Sequence, residues 1–153
     1  KTEFDLYQRI ASLSHLSLTK KKMNILLIVA NVLVLMTFIA HTFVGDREYR
    51  QIEPEPESDL RYRIFWTMGR GAFHIVSIDF LFATIGLTLV NFTNYFENSK
   101  FVLNLLALYF FGYGLAFLMT LIISKKFKHI YLKMFQWLLL LVISVLIHFG
   151  NTL

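Results

Sequence analysis

The chain has 153 residues, of which 56% are apolar and 16% charged, with a net charge of +5, two prolines and no cysteine; its mean hydropathy is +0.58. Soluble domains carry about 25% charged residues, so this composition fits one membrane-embedded domain, and without cysteine there is no disulfide framework, thiolate nucleophile, cysteine-held zinc or thiolate-held iron–sulfur cluster. The basic residues flank apolar runs instead of forming one patch, which excludes nucleic acid as the expected partner.

In chain order, Phe4, Leu6, Tyr7, Ile10 and Leu13 fall mostly on one helical face, so residues 1–22 are expected to form an amphipathic segment lying in the membrane interface. Residues 23–153 are expected to cross the membrane. A crossing takes about 20 residues at helical rise, and four apolar runs meet that length: 24–45, 71–96, 101–124 and 130–150. They are continuous rather than alternating, and about twice as long as a barrel strand needs. The expected fold is therefore all-α, an antiparallel four-helix transmembrane bundle. Lys20, Lys21 and Lys22 before the first run, with the small Ala40 late in it, have the layout of a secretory signal. The run is longer than the roughly 7–15 residues of a signal core, however, and three further runs follow.

Between the first and second runs lies a densely charged segment, Asp46 to Arg70, in which Pro54 and Pro56 predict an extended or turned loop. Arg47 and Arg70 bracket it. One of them is expected to pair with Asp46 or Glu48 and fold the loop over the mouth of the bundle. The links at 97–100 and 125–129 are short, so consecutive helices are expected to be antiparallel neighbours. Lys133, near the start of the fourth run, can snorkel to the interface. Nine Lys and Arg fall on the side of the first loop against six on the side of the termini, which places the termini outside; the lysine triplet beside the first run argues for the reverse.

At 100° per residue, Arg70, His74, Ser77, Thr84, Thr88 and Asn91 share a wedge of about 100° on the second run. That stripe must face protein, because polar groups turned to lipid lack partners. Asp79 points the opposite way, so its partner is expected from another helix or another subunit. Thr37, His41 and Gly45 repeat at four-residue spacing on the first run, as do Ser144 and His148 on the fourth. Gly112, Gly114, Ala116 and Thr120 give the third run a small-residue stripe for close helix packing. His41 and His74 should lie at similar depth, beneath Asp46, Arg47 and Arg70.

The motifs His41-Thr42-Phe43-Val44-Gly45-Asp46-Arg47 and Phe73-His74-Ile75-Val76-Ser77 resemble a pattern in small uncharacterised four-span bacterial membrane proteins. There, span one closes with H-x-x-x-G-[D/E]-R and span two opens with an aromatic–His pair and a Ser three residues on; the aromatic is more usually Trp, where this chain has Phe73. The resemblance covers under half of the chain. It implies that His41, Gly45, Arg47, His74 and Ser77 act as a unit in a bacterial inner membrane, and it implies no reaction.

Four functions are compatible with these features. The first is a non-enzymatic accessory or assembly subunit of a larger membrane complex, or a homo-oligomer, with lipid and partner subunits around it. The second is a haem or metal site with His41 and His74 as ligands. The third is proton or ion conduction using Asp79. The fourth, an intramembrane enzyme, lacks an orienting acid and an oxyanion hole for Ser77 and His74. The first is the expected role.

Overall fold

The computed structural model describes residues 24–124 and 129–153. The expected interfacial segment, 1–22, and most of the link at 125–129 lie outside the described residues. Those described are helical and include no strand. Helix α1 (Ile25–Ile39) continues without a break through a π-helical turn, Ala40–Gly45, into α2 (Asp46–Arg50). It is followed by α3 (Leu60–Phe92), α4 (Ser99–Ile123), the short α5 (Ile130–Lys133) and α6 (Gln136–Thr152). Three helical stretches, Ile25–Arg50, Leu60–Phe92 and Ser99–Ile123, are long and apolar enough to cross a membrane, and α6 is a shorter apolar helix.

Capping chemistry sets most of the starts. Asn24 Oδ1 accepts from Leu26 N–H at 3.0 Å, Asp59 Oδ1 from Arg61 N–H at 2.7 Å, and Asn98 Oδ1 from Phe101 N–H at 3.0 Å. Each pairs one of the donors that a helix N-terminus leaves free. The proline-containing stretch, residues 51–59, is the only part of the expected first loop that is not helical. Asp46–Arg50 prolongs the first helix, supported by the i,i+4 pair of Asp46 with Arg50. Leu60–Arg70 opens α3, which at 1.5 Å per residue is about 50 Å long, some 20 Å more than a hydrocarbon core. The loop boundaries expected at 46 and 70 are thus corrected by nearly three helical turns on the second side. The expected second run also ends early, at Phe92 instead of 96, and the fourth is interrupted: Met134 and Phe135 form a turn, and the helix restarts at Gln136.

Side-chain bonds fix an antiparallel register between α1 and α3. His41 meets Ser77, Asn31 Nδ2 donates to Thr88 Oγ1 at 2.9 Å, and Asn91 Nδ2 donates to the Leu27 carbonyl at 3.1 Å. The same holds for α4 and α6, where Ser144 Oγ donates to the Ala107 carbonyl at 2.7 Å and Asn151 Nδ2 to Asn104 Oδ1 at 2.8 Å. Asn24 Nδ2 donates to the Gly150 carbonyl at 2.8 Å and ties α1 to α6. Helix α6 thus packs on both α1 and α4, while α3 and α4 touch only lightly, which corrects the expectation that every consecutive pair of helices would be close neighbours. The shared core holds Val34, Leu87, Phe110, Ile143 and Ile147, all fully buried. Most of each apolar stretch nevertheless faces outward, the inverse of a soluble bundle.

Candidate functional site

Two polar clusters stand out. The first joins the π turn and α2 to the upper part of α3. The Asp46 carboxylate is its centre. Oδ1 accepts from Arg70 Nε at 2.9 Å and from His74 Nε2 at 3.1 Å; Oδ2 accepts from Arg70 Nη2 at 3.3 Å and from Arg50 Nε at 3.1 Å. The Arg70 fork is bidentate, the geometry that gives a guanidinium–carboxylate pair its directionality. Arg70 also stacks over Trp66, 5.4 Å from the ring centroid. Trp66 in turn donates through Nε1 to the Tyr49 carbonyl at 3.3 Å. Since a carboxylate only accepts, the His74 proton facing Asp46 sits on Nε2.

Beneath this clamp, His41 lies face to face on Phe73, with ring centroids 3.8 Å apart and planes 11° from parallel. Its Nδ1 is 3.0 Å from Ser77 Oγ, and its edge meets Phe80. Gly45 completes the contact. A Cβ there would come within 2.5 Å of the Phe73 ring, so the aromatic side chain occupies the space that glycine leaves. The π turn, with more residues per turn than an α-helix, brings both His41 and Gly45 onto that one ring.

The two sequence motifs interlock: His41 with Ser77, Gly45 with Phe73, Asp46 with His74. The polar stripe of α3 faces α1, with Arg70, His74, Ser77, Thr88 and Asn91 each bonded to that neighbour or its continuation. Of the two bracketing arginines, Arg70 pairs with Asp46, whereas Arg47 is exposed and takes no ion pair among the described residues. His41 and His74 both pack on Phe73 but bond to different partners. Among the described residues, no three His, Asp or Glu side chains converge as a metal-binding set. Ser77 is 3% exposed and covered by His41 and Phe73, so its hydroxyl faces the helix pair rather than a cleft open to substrate. His148 is exposed, on the half of α6 that carries Asn151 and Gly150, away from this cluster.

The second cluster bridges α3 and α4. Tyr113 Oη donates to Asp79 Oδ2 at 2.7 Å, and Tyr109 Oη donates to Tyr113 Oη at 2.6 Å. Asp79 therefore takes its partner from another helix, as its isolated face requires. The two tyrosines, one turn apart in an apolar helix, are a signal that the sequence carried and that hydropathy alone hides. A carboxylate at the centre of a membrane helix costs about 2.5–3.5 kcal/mol on insertion scales, and two hydroxyls arranged in series offset part of that. The chain of three groups spans little more than one helical turn and reaches neither end of the bundle.

The small-residue stripe divides. Gly114 is buried against α6, where a Cβ would lie 2.7 Å from Leu141 Cδ2 and 3.2 Å from the Trp137 carbonyl. Gly112 and Ala116 face outward on the side of α4 that carries Tyr109 and Tyr113, and a Cβ on Gly112 would meet nothing within 4 Å. No family model, curated protein or solved structure matches this chain.

Proposed function

We propose that the chain is a multi-pass protein of a bacterial inner membrane, crossing the bilayer four times with α6 as a short fourth crossing, and that it serves as a non-enzymatic accessory or assembly subunit of a larger membrane complex. The reading is supported by one observation above the others. Most of the polar side chains within the apolar stretches are bonded between or within helices, the buried Thr42 hydroxyl being an exception, while the outward faces are largely apolar. Such a molecule offers partners and lipid a packing surface. At 17 residues, α6 meets the lower limit for a crossing. Its start is flanked by Lys133, Phe135 and Trp137, residue types that anchor helices at an interface.

The test is isolation of the intact chain from its native membrane in a mild detergent, with quantitative mass spectrometry and an absorbance spectrum of the product. The expected result is companion subunits in fixed stoichiometry and no Soret band. A chain that runs alone overturns the accessory role, and a Soret band at one haem per chain assigns His41 and His74 to a cofactor instead.

A further inference from the structure

The Asp79 carboxylate is only half used. Oδ2 accepts from Tyr113, whereas Oδ1 has no partner among the described residues and is not sealed from the surface. Asp79 is half-buried, on the side where α3 and α4 touch only lightly. Tyr113 lies about 21 Å from Ser99 and about 15 Å from Ile123 along the axis of α4, so the free oxygen sits near mid-span. The residues around it suit a helix. On α3, Ile75 and Phe82 flank Asp79 on its own face and are 66% and 65% exposed. On α4, Gly112 and Ala116 lie one turn apart on the tyrosine side and let a backbone approach closely. A carboxylate at that depth with a vacant acceptor position is complementary to one chemistry above all, a cationic side chain arriving from the membrane.

We propose that the face of α3 and α4 around Asp79 is a docking site for a partner transmembrane helix that carries a Lys or Arg at mid-membrane depth, received by Asp79. Tyr113 and Tyr109 are positioning residues. The series of hydroxyls holds the carboxylate by Oδ2 and leaves Oδ1 turned to the incoming cation. The apolar residues and the small residues supply the close packing around the ion pair, and desolvation makes the pair selective, since a neutral helix leaves the carboxylate unpaired. This proposal rests on the accessory-subunit reading and names the chemistry of the partner.

The experiment uses the full chain in phosphatidylcholine vesicles with three synthetic transmembrane helices of Leu and Ala. They differ only in the central residue, which is Lys, Leu or Glu, and association is read by energy transfer. A central position gives the same depth in either helix orientation. The Lys helix is expected to associate about tenfold more tightly than the Leu helix, the size of one charge-assisted bond, and the Glu helix more weakly than either. Asp79→Asn, close to isosteric, should abolish the preference for Lys, Asp79→Glu should retain part of it, and Tyr113→Phe should reduce it without changing Leu-helix association. Equal association of the Lys and Leu helices, or a Lys preference that survives Asp79→Asn, overturns the proposal. So does a proton leak through the vesicles that depends on Asp79 while no helix is preferred, which assigns the carboxyl to proton passage. Companion subunits in the native preparation without a Lys preference would remove the docking site and leave the accessory role; a Lys preference with a solitary native chain would do the reverse.

Discussion

Gly114→Leu will push α4 and α6 apart and strongly destabilise the bundle, whereas Gly112→Leu, two residues away, will leave stability nearly unchanged. At position 114 even a methyl group meets Leu141 at 2.7 and 2.9 Å and the Trp137 carbonyl at 3.2 Å. The leucine side chain can turn aside at a cost, but the carbonyl belongs to the helix backbone and cannot. Overpacking of this kind costs about 1–3 kcal/mol, which is the expectation for Gly114→Ala, and leucine adds three further carbons to a site with no room for them. At position 112 the substituent enters open space, and a change away from any packed feature stays within about 0.5 kcal/mol. Thermal or denaturant unfolding in detergent micelles compares the two. Equal losses would show that α4 does not pack on α6 through Gly114. Gly112→Leu should instead weaken association of the Lys-centred helix, because it fills the face on which that helix lies.

The second large effect belongs to Asp46. Asp46→Leu removes the acceptor shared by Arg50, Arg70 and His74, leaving three donors beside one another and the two helical arms without their cross-link. The arms, residues 46–50 and 60–70, lie above the buried core and are held by this carboxylate together with the Tyr49–Trp66 contact. Partial exposure of the cluster limits its strength. Local opening is nonetheless expected to rise, and cleavage follows the open population when reclosing is fast. In the unaltered chain, cleavage by a glutamate-directed protease should fall first in residues 51–59, with tryptic cutting at Arg50 and Arg70 much slower. Asp46→Leu should accelerate those tryptic cuts by about threefold to tenfold, and Asp46→Asn by less. Unchanged rates at Arg50 and Arg70 would mean that the carboxylate does not hold the arms together.

The pairing of α1 with α3 was legible in the sequence, for a physical reason, whereas the packing of α6 on α1 and the light contact of α3 with α4 were not. A polar stripe confined to one wedge of an apolar helix has few places to go, and the stripe from Arg70 to Asn91 does face a neighbour, α1. The isolated position of Asp79 pointed in the same way to a partner on another helix. The limits of the first loop were not legible, because composition is a poor guide there. Asp46-Arg47-Glu48-Tyr49-Arg50 reads as polar linker, yet its charges are spaced for i,i+4 pairing and it continues the helix, which also makes Arg50 rather than Arg47 the second arginine on Asp46. The helix ends at Arg50, and Pro54 and Pro56 lie within the short non-helical stretch 51–59. The π turn left no mark in hydropathy, since a change of winding in an apolar run alters which faces meet and not how apolar they are. The turn at Met134 and Phe135 escaped for the same reason: two large apolar residues look like a continuing span.

The proposed topology has four membrane crossings, with Asp79 deep in lipid and the Asp46 cluster at one surface. Because the chain contains no cysteine, single-cysteine variants at Glu57, Asn98, His129, Leu153 and Gly112 can be labelled with a membrane-impermeant thiol reagent, in sealed membranes and after permeabilisation. Positions 57 and 129 are expected to label from one side, positions 98 and 153 from the other, and position 112 from neither until the membrane is dissolved. Labelling of position 153 from the same side as 129 would contradict the fourth crossing, and labelling of position 112 in sealed membranes would take the face around Asp79 out of the bilayer.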